Sequence, residues 1–291
     1  GIEAHLAHLG IEVVRSRGVL SGPGVVDAGG LSIEGSKVLL APGSLPLVPS
    51  FLDVPGVLTS TDVLNWQSLP ASLVIVGGGV IGCEFASIYS VFGSKVTLVD
   101  VMPRILPMVD EEASALIAAS FKKRGMEVIT GVGVKSIEKS ETRVAAVLED
   151  GRRIEADRML LSIGRRPSAA GTGAKEAGVE IGKSGEVIVD NHMRTNVPGI
   201  WAIGDVNNRM QLAHVASHEG TVAAENALGG SRLMAYGAVP SVVFTMPEVA
   251  GVGLTEKQAR EQGHPVRADS VLFRNLGKAQ AMGEIAGEAK I

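Results

Sequence analysis

Cysteine, aromatic residues and long apolar runs are what this sequence has least of. Cys83 is the one cysteine in 291 residues, which excludes an internal disulfide and a thiolate-rich metal cluster. It fits a reducing compartment, so the expected location is cytoplasmic. Aromatics make up 3% of the chain, too few for a base-stacking platform. The formal net charge of -4, with both signs interspersed, leaves no basic footprint, and no nucleic-acid partner is expected. No apolar stretch reaches the ~18 residues of a membrane span. Runs such as Leu73–Val76 and Met159–Ile163 are strand-sized, and no membrane association is expected. The opening GIEAHLAHLGIEVV reads as an amphipathic helix leading into a strand, without a basic n-region or a signal-type apolar run.

Glycine is abundant instead. The 37 glycines are roughly 13% of the chain, nearly twice the usual ~7%, with no collagen-like period. Short apolar strands alternate with helical patterns, which predicts an α/β fold with Rossmann-like, helix-covered parallel sheets. Strands are expected at Glu12–Arg15, Val38–Ala41, Leu73–Val76, Lys95–Val99, Glu127–Thr130, Met159–Ile163 and Gly199–Ala202. Helices are expected at Glu84–Val91, Glu111–Lys123, Leu212–Ala227 and Glu256–Glu261. Between Lys135 and Asp157 the pattern alternates around a turn at Glu149–Arg152, which reads as an antiparallel hairpin.

One internal similarity stands out. Ser36–Pro46 and Asp157–Pro167 each read as a polar pair, a buried strand and a glycine turn closed by proline. The pair suggests the ends of two similar nucleotide-binding domains.

The most informative segment is Leu73–Glu84, LVIVGGGVIGCE: a strand, then Gly-x-Gly-x-x-Gly, then an apolar helix. Gly77 permits the tight turn, Gly79 admits a pyrophosphate to the backbone, and Gly82 lets helix and sheet approach. The N–H groups at the helix start supply the anion site. A second strand ends at Asp100, 18 residues past Gly82, where a carboxylate binds a ribose 2′-hydroxyl and repels a 2′-phosphate. NAD is therefore expected over NADP, with Arg104 the one nearby cation to receive a phosphate. The plainer alternative makes Asp100 a strand-end turn residue. Further on, Thr195–Asp205 is a strand ending in Gly-Asp, followed by the Ala-rich helix that opens with LAHVASHEG. An Asp there suits ligand hydroxyls, and the helix N-terminus suits developing negative charge.

These segments, with APGSLP, LLSIGRRP, TNVPGIWAIGDV, MPEVAGVGLTE and FRNLGKA, resemble the dihydrolipoamide dehydrogenases among the FAD- and NAD-dependent pyridine nucleotide–disulfide oxidoreductases. The resemblance runs along essentially the whole chain. It implies electron transfer from dihydrolipoamide, through a disulfide and FAD, to NAD. The dithiol would be a small molecule or a lipoyl domain, and the whole enzyme a homodimer. For NAD it implies contacts from Gly77, Gly78, Gly79, Val80, Ile81, Gly82, Glu84, Asp100, Val134, Gly164 and Arg165, with Glu84 as an auxiliary acid near the nicotinamide. For FAD it implies Gly18, Gly43, Asp205, Met210, Leu212, Ala213 and His214. The implied division is three-layer Rossmann-like domains, 1–68 and 191–235 for FAD and 69–190 for NAD, with 236–291 as the truncated start of an α+β dimerisation domain.

Departures matter as much. Pro42 stands where the family has threonine. The family's first FAD loop, its Cys-x-x-x-x-Cys pair and its His-Pro-Thr-x-x-Glu segment have no counterpart here. The expectation is therefore a part of such an enzyme with no catalytic residue of its own, unable by itself to oxidise dihydrolipoamide. Rival readings are a glutathione-, mercuric- or CoA-disulfide-type flavin reductase, a transhydrogenase, or a catalytically silent cofactor-binding module.

Other residues read more plainly. Cys83 is either a thiolate at a helix start or, as the better reading, a small buried filler. His5 with His8 and His214 with His218 have helical ligand spacing but no acidic or thiolate partners in register, so no metal is expected. Asp110–Glu112 reads as charge complementing a helix N-terminus.

Overall fold

The computed structural model describes residues 1–291, which divide into two compact units. The first comprises 1–45 and 165–236, the second 46–164 and 237–291. The fold is mixed α/β with a parallel sheet at the centre of the second unit.

That sheet has five strands in the order Val57–Leu58, Arg158–Leu161, Ser72–Val76, Lys95–Asp100 and Glu127–Thr130. Leu73–Val76 pairs in parallel with Arg158–Leu161 on one side and with Val96–Val99 on the other. A strand buried on both faces needs apolar residues at every position, which is why LVIV reads as an unbroken run. Leu73 and Ile75 point into one core with Cys83, Ala86, Ile117 and Phe121 of the helices Val80–Val91 and Glu111–Lys123. Val74 and Val76 point into the other, with Ile137, Ala146 and Leu148.

The second face is thus covered not by helices but by an antiparallel meander of Val134–Lys139, Val144–Leu148 and Arg153–Ala156. The expected hairpin has a third strand because Ser140 and Arg143 close an additional turn, with Ser140 N–H donating to the Arg143 carbonyl at 2.9 Å.

The first unit holds a meander of Gly18–Gly22, Val25–Ala28 and Leu31–Glu34. It also holds a parallel pair, Val38–Leu40 with Ile200–Ala202, and the helix Ala213–Ala227. The internal similarity is structural as well. Val38–Leu40 and Arg158–Leu161 are both parallel strands, and the turns that follow carry Gly43 at φ +72° and Gly164 at φ +139°.

Three differences from the expected elements have local causes. Residues 11–17 form no ladder, and Ile11 and Val13 are half exposed, so the expected strand at Glu12–Arg15 has no partner. The helix expected from Glu84 begins at Val80, because Gly79 is its N-cap and Gly82 lies within its first turn. The compact units part at 45/46, 164/165 and 236/237, whereas the division implied by the resemblance runs 68/69, 190/191 and 235/236. Val57–Leu58 joins the parallel sheet, and Val187 donates to Val206 within the first unit.

Candidate functional sites: a dinucleotide loop and a carboxylate turn

In the second unit, Gly77 leaves the central strand at φ +108°, and a Cβ there would collide with the Ser162 carbonyl. A Cβ on Gly82 would collide with the Gly77 carbonyl oxygen, so the helix lies against the loop at a distance only glycine allows. Gly79 differs: its backbone is extended (φ -75°, ψ -169°), and a Cβ would meet nothing within 4 Å. Two glycines therefore hold the loop together, and the third leaves open space at the helix N-terminus. Val80, Ile81 and Gly82 form the first turn there.

Asp100 ends the neighbouring strand and reaches back to this loop. One carboxylate oxygen accepts from Gly78 N–H and the other from Met102 N–H at 2.7 Å. It pins the loop to the strand end, and a carboxylate with about four lone-pair sites retains capacity for ligand hydroxyls. Arg104 is committed elsewhere. Its guanidinium donates to the carbonyls of Leu106 (3.0 Å), Pro107 (2.8 Å) and Val109 (3.2 Å).

Cys83 is fully buried, and its Sγ donates to the Gly78 carbonyl at 3.3 Å. Burial, with lesser contributions from the Asp100 and Glu84 charges, pushes the thiol up to about 12. Glu84 accepts from Phe244 N–H at 2.9 Å, which ties the helix to the stretch after the strand Pro240–Val243. The same stretch is fastened by Met246 N–H to Ser87 Oγ (3.0 Å) and by Arg124 to the Met246 carbonyl (2.9 Å). Val134 begins the first meander strand opposite Leu148, and Gly164 accepts from Leu47 N–H at 3.0 Å.

In the first unit, Asp205 lies in a single 3-10 turn, Gly204–Asn207, directly after the strand Ile200–Ala202. Ser44 Oγ donates to its Oδ2 at 2.5 Å. Arg165 donates from Nε to Ser44 Oγ and from Nη2 to the Ser44 carbonyl, both at 2.7 Å, and its Nε stands 3.9 Å from the Asp205 carboxylate. Arg165, which the resemblance sets beside NAD, is bonded here to Ser44 and stands near Asp205. Gly43 adjoins Ser44, and a Cβ on it would meet nothing within 4 Å. Gly18 lies in the meander, where a Cβ would touch Val26 at 3.4 Å. Leu212 is the extended N-cap of the helix Ala213–Ala227, its N–H bonded to the Met210 carbonyl at 3.0 Å, and Ala213 and His214 are exposed in the first turn.

Comparison with known proteins shows the family. Residues 1–220 match the model of the pyridine nucleotide-disulphide oxidoreductases, and 239–291 match that of their dimerisation domain. The chain belongs to this family. It is 44% identical over 263 residues to a dihydrolipoyl dehydrogenase of Chlamydia muridarum, covering 89% of this chain and 56% of that protein. It is 38% identical over 288 residues to one from Thermus scotoductus, covering 97% and 62% respectively. Among solved structures, the flavoprotein disulfide reductase RclA of Escherichia coli aligns with a TM-score of 0.92 at 31% identity, covering 99% of this chain and 68% of that one. LpdA of Mycobacterium tuberculosis aligns with a TM-score of 0.92 at 30% identity, covering 100% and 66%. The chain thus spans little more than half the length of the first of these relatives.

The family is one of oxidoreductase enzymes that use FAD and NAD. The open space at Gly79 beside the helix N-terminus suits a pyrophosphate in this family's manner. The Gly43 turn and the partly exposed Asp205 carboxylate suit the polar part of a flavin cofactor. No group of three or more His, Cys, Asp or Glu residues is placed to hold a metal ion, and no helix is long and apolar enough to cross a membrane.

Nothing in the sequence marked out Tyr236, and Ser44 and Glu219 stood out only as parts of motifs. Glu219 did leave a signal. It lies in phase with Val215, Val222, Ala223 and Asn226 on the buried face of its helix, where an acid needs a reason to be.

Proposed function

We propose that this chain is the NAD-binding and partial FAD-binding portion of a dihydrolipoyl dehydrogenase. That enzyme would pass electrons from dihydrolipoamide, through a disulfide and FAD, to NAD+. The observation that carries the reading is the Gly77–Gly82 loop with the Asp100 carboxylate folded onto it, an arrangement that suits a ribose 2′-hydroxyl and repels a 2′-phosphate. The commitment of Arg104 to three carbonyls supports NAD over NADP.

In this reading Gly77–Gly82, Asp100, Val134 and Gly164 line the NAD site, with Glu84 at its nicotinamide end. Gly18, Gly43, Asp205 and the helix start at Met210–His214 serve FAD. FAD supplies two-electron transfer between a dithiol and the nicotinamide. The chain's own residues orient it: Asp205 accepts hydroxyl hydrogen bonds, and the Ala213–Ala227 helix N-terminus places positive potential where reduction brings negative charge. The first unit is assigned to FAD, the parallel-sheet unit to NAD, and the segment from 237 to the opening of a homodimer interface. The partner dithiol is a small molecule or a lipoyl domain, and the single buried cysteine suits a cytoplasmic protein.

Dithiol oxidation is outside this chain's own chemistry, because Cys83 is its one cysteine and is enclosed. Titrations with NADH and NADPH, together with the visible absorption of the chain incubated with FAD, test the reading. Tighter NADH binding and a bound-flavin spectrum are expected. Equal or tighter NADPH binding would overturn the cofactor choice, and lipoamide-dependent NAD reduction by these 291 residues alone would overturn the division of labour.

A further inference from the structure

The one acidic side chain with no exposure at all in the first unit is Glu219, and its carboxylate is surrounded by donors. Oε2 accepts from Gly204 N–H at 2.6 Å and from Asn207 Nδ2 at 2.8 Å. Oε1 accepts from the Tyr236 hydroxyl at 2.6 Å. Gly204 and Asn207 are the first and last residues of the 3-10 turn that carries Asp205. One carboxylate therefore ties both ends of that turn to the helix Ala213–Ala227.

Resting on the reading of Asp205 as a flavin contact, we propose that Glu219 is a positioning residue. It holds the Gly204–Asn207 turn so that the Asp205 carboxylate is presented to the cofactor. Gly204 takes the left-handed conformation (φ +73°), which glycine enters and leaves freely, and a Cβ added to it would come within 3.2 Å of Ala216 Cβ. Within the turn, Val206 is buried, and its carbonyl accepts from Val187 N–H at 2.9 Å. Re-aiming Asp205 thus means leaving a buried carboxyl group and its donors unpaired, which is costly. Asn207 Oδ1 accepts from Arg209 N–H at 3.0 Å, and the Arg209 guanidinium lies 5.4 Å from the Tyr236 ring centre, so the outer partners are held as well. Burial, and next the bond to Glu219, raise the Tyr236 hydroxyl above its ordinary range, which keeps it a donor.

The test compares FAD affinity, the visible circular dichroism of bound flavin, and NADH affinity in the full chain and its variants. Glu219→Leu, close in size but without acceptors, is expected to weaken FAD binding about 10-fold or more, with an altered flavin dichroism and NADH affinity within about 2-fold of the parent. Glu219→Gln keeps an acceptor for Gly204 and Asn207, and it is expected to restore FAD affinity to within about 3-fold. Asn207→Ala, a milder change, is expected to weaken FAD binding about 3- to 10-fold, and it carries the test if Glu219→Leu fails to fold.

Parent-like FAD affinity and dichroism in Glu219→Leu, or in Asn207→Ala where the leucine variant is unfolded, overturns the proposal while Asp205→Asn still loses FAD. Parent-like FAD binding in Asp205→Asn, or no binding by the parent chain, overturns instead the flavin-site reading on which the proposal stands.

Discussion

Arg165 Nε donates to Ser44 Oγ at 2.7 Å, and Ser44 Oγ in turn donates to the Asp205 carboxylate at 2.5 Å. The serine hydroxyl is a relay between a cation and an anion that stand 3.9 Å apart without a direct hydrogen bond. Hydrogen bonds to charged groups contribute about 1.5–3 kcal/mol each. Arg165→Met is therefore expected to weaken FAD binding about 10- to 100-fold and leave NADH binding within about 2-fold. Parallel titrations with the two cofactors separate this outcome from a role for Arg165 beside NAD. Arg165→Lys is expected to rescue only in part, because an ammonium does not reproduce the two-pronged reach to the hydroxyl and carbonyl of Ser44.

Gly79 and Gly82 are expected to respond oppositely to the same substitution. Gly82→Ala forces a methyl into the Gly77 carbonyl and is expected to lower stability by about 1–3 kcal/mol, read as a shifted denaturant midpoint. Gly79→Ala meets open space on an extended backbone, so stability is expected to stay within about 0.5 kcal/mol. Its methyl enters the space left for the pyrophosphate, and NADH affinity is expected to fall about 10-fold or more.

Asp100 has a loop to hold as well as a ligand to select. Asp100→Asn leaves a single acceptor oxygen for Gly78 N–H and Met102 N–H and removes the charge that repels a 2′-phosphate. The expected result is weaker NADH binding, with the NADPH-to-NADH affinity ratio rising about 10-fold. An unchanged ratio would leave Asp100 as a loop anchor alone.

Cys83 is expected to be inert to thiol reagents in the folded chain and reactive only on unfolding. Its thiol is held up at about 12 against an ordinary 9.0. A raised acid keeps its proton when folded, so this contribution is complete below pH 9.0 and declines as pH rises towards 12. Cys83→Ala is expected to reduce the alkaline loss of stability over that window. Urea melts of both proteins from pH 8 to the alkaline limit would show whether the slopes differ.

How much was legible beforehand follows from how local each feature is. The strand–loop–helix unit around Gly77 rests on neighbours in sequence: an apolar run, a tight turn, glycines at fixed spacing and an acid one strand later. The helices Glu111–Lys123 and Glu256–Glu261 were legible for the same reason, one with Asp110 and one with Thr255 at its N-cap. The strand expected at Glu12–Arg15 failed because a strand needs a partner, which no local pattern supplies.

By itself, then, the sequence determined the α/β class, the strand–glycine loop–helix unit and its acidic companion, because each depends on periodicity and backbone conformation within one short stretch. Only the tertiary structure links Arg165 to Asp205 through Ser44. Ser44 joins residues 121 and 161 positions away, and no spacing rule encodes such a contact. The same holds for Glu219. The buried face of its helix was readable, but a buried carboxylate is stable only where folding brings it donors, and Gly204, Asn207 and Tyr236 reach it from outside that helix.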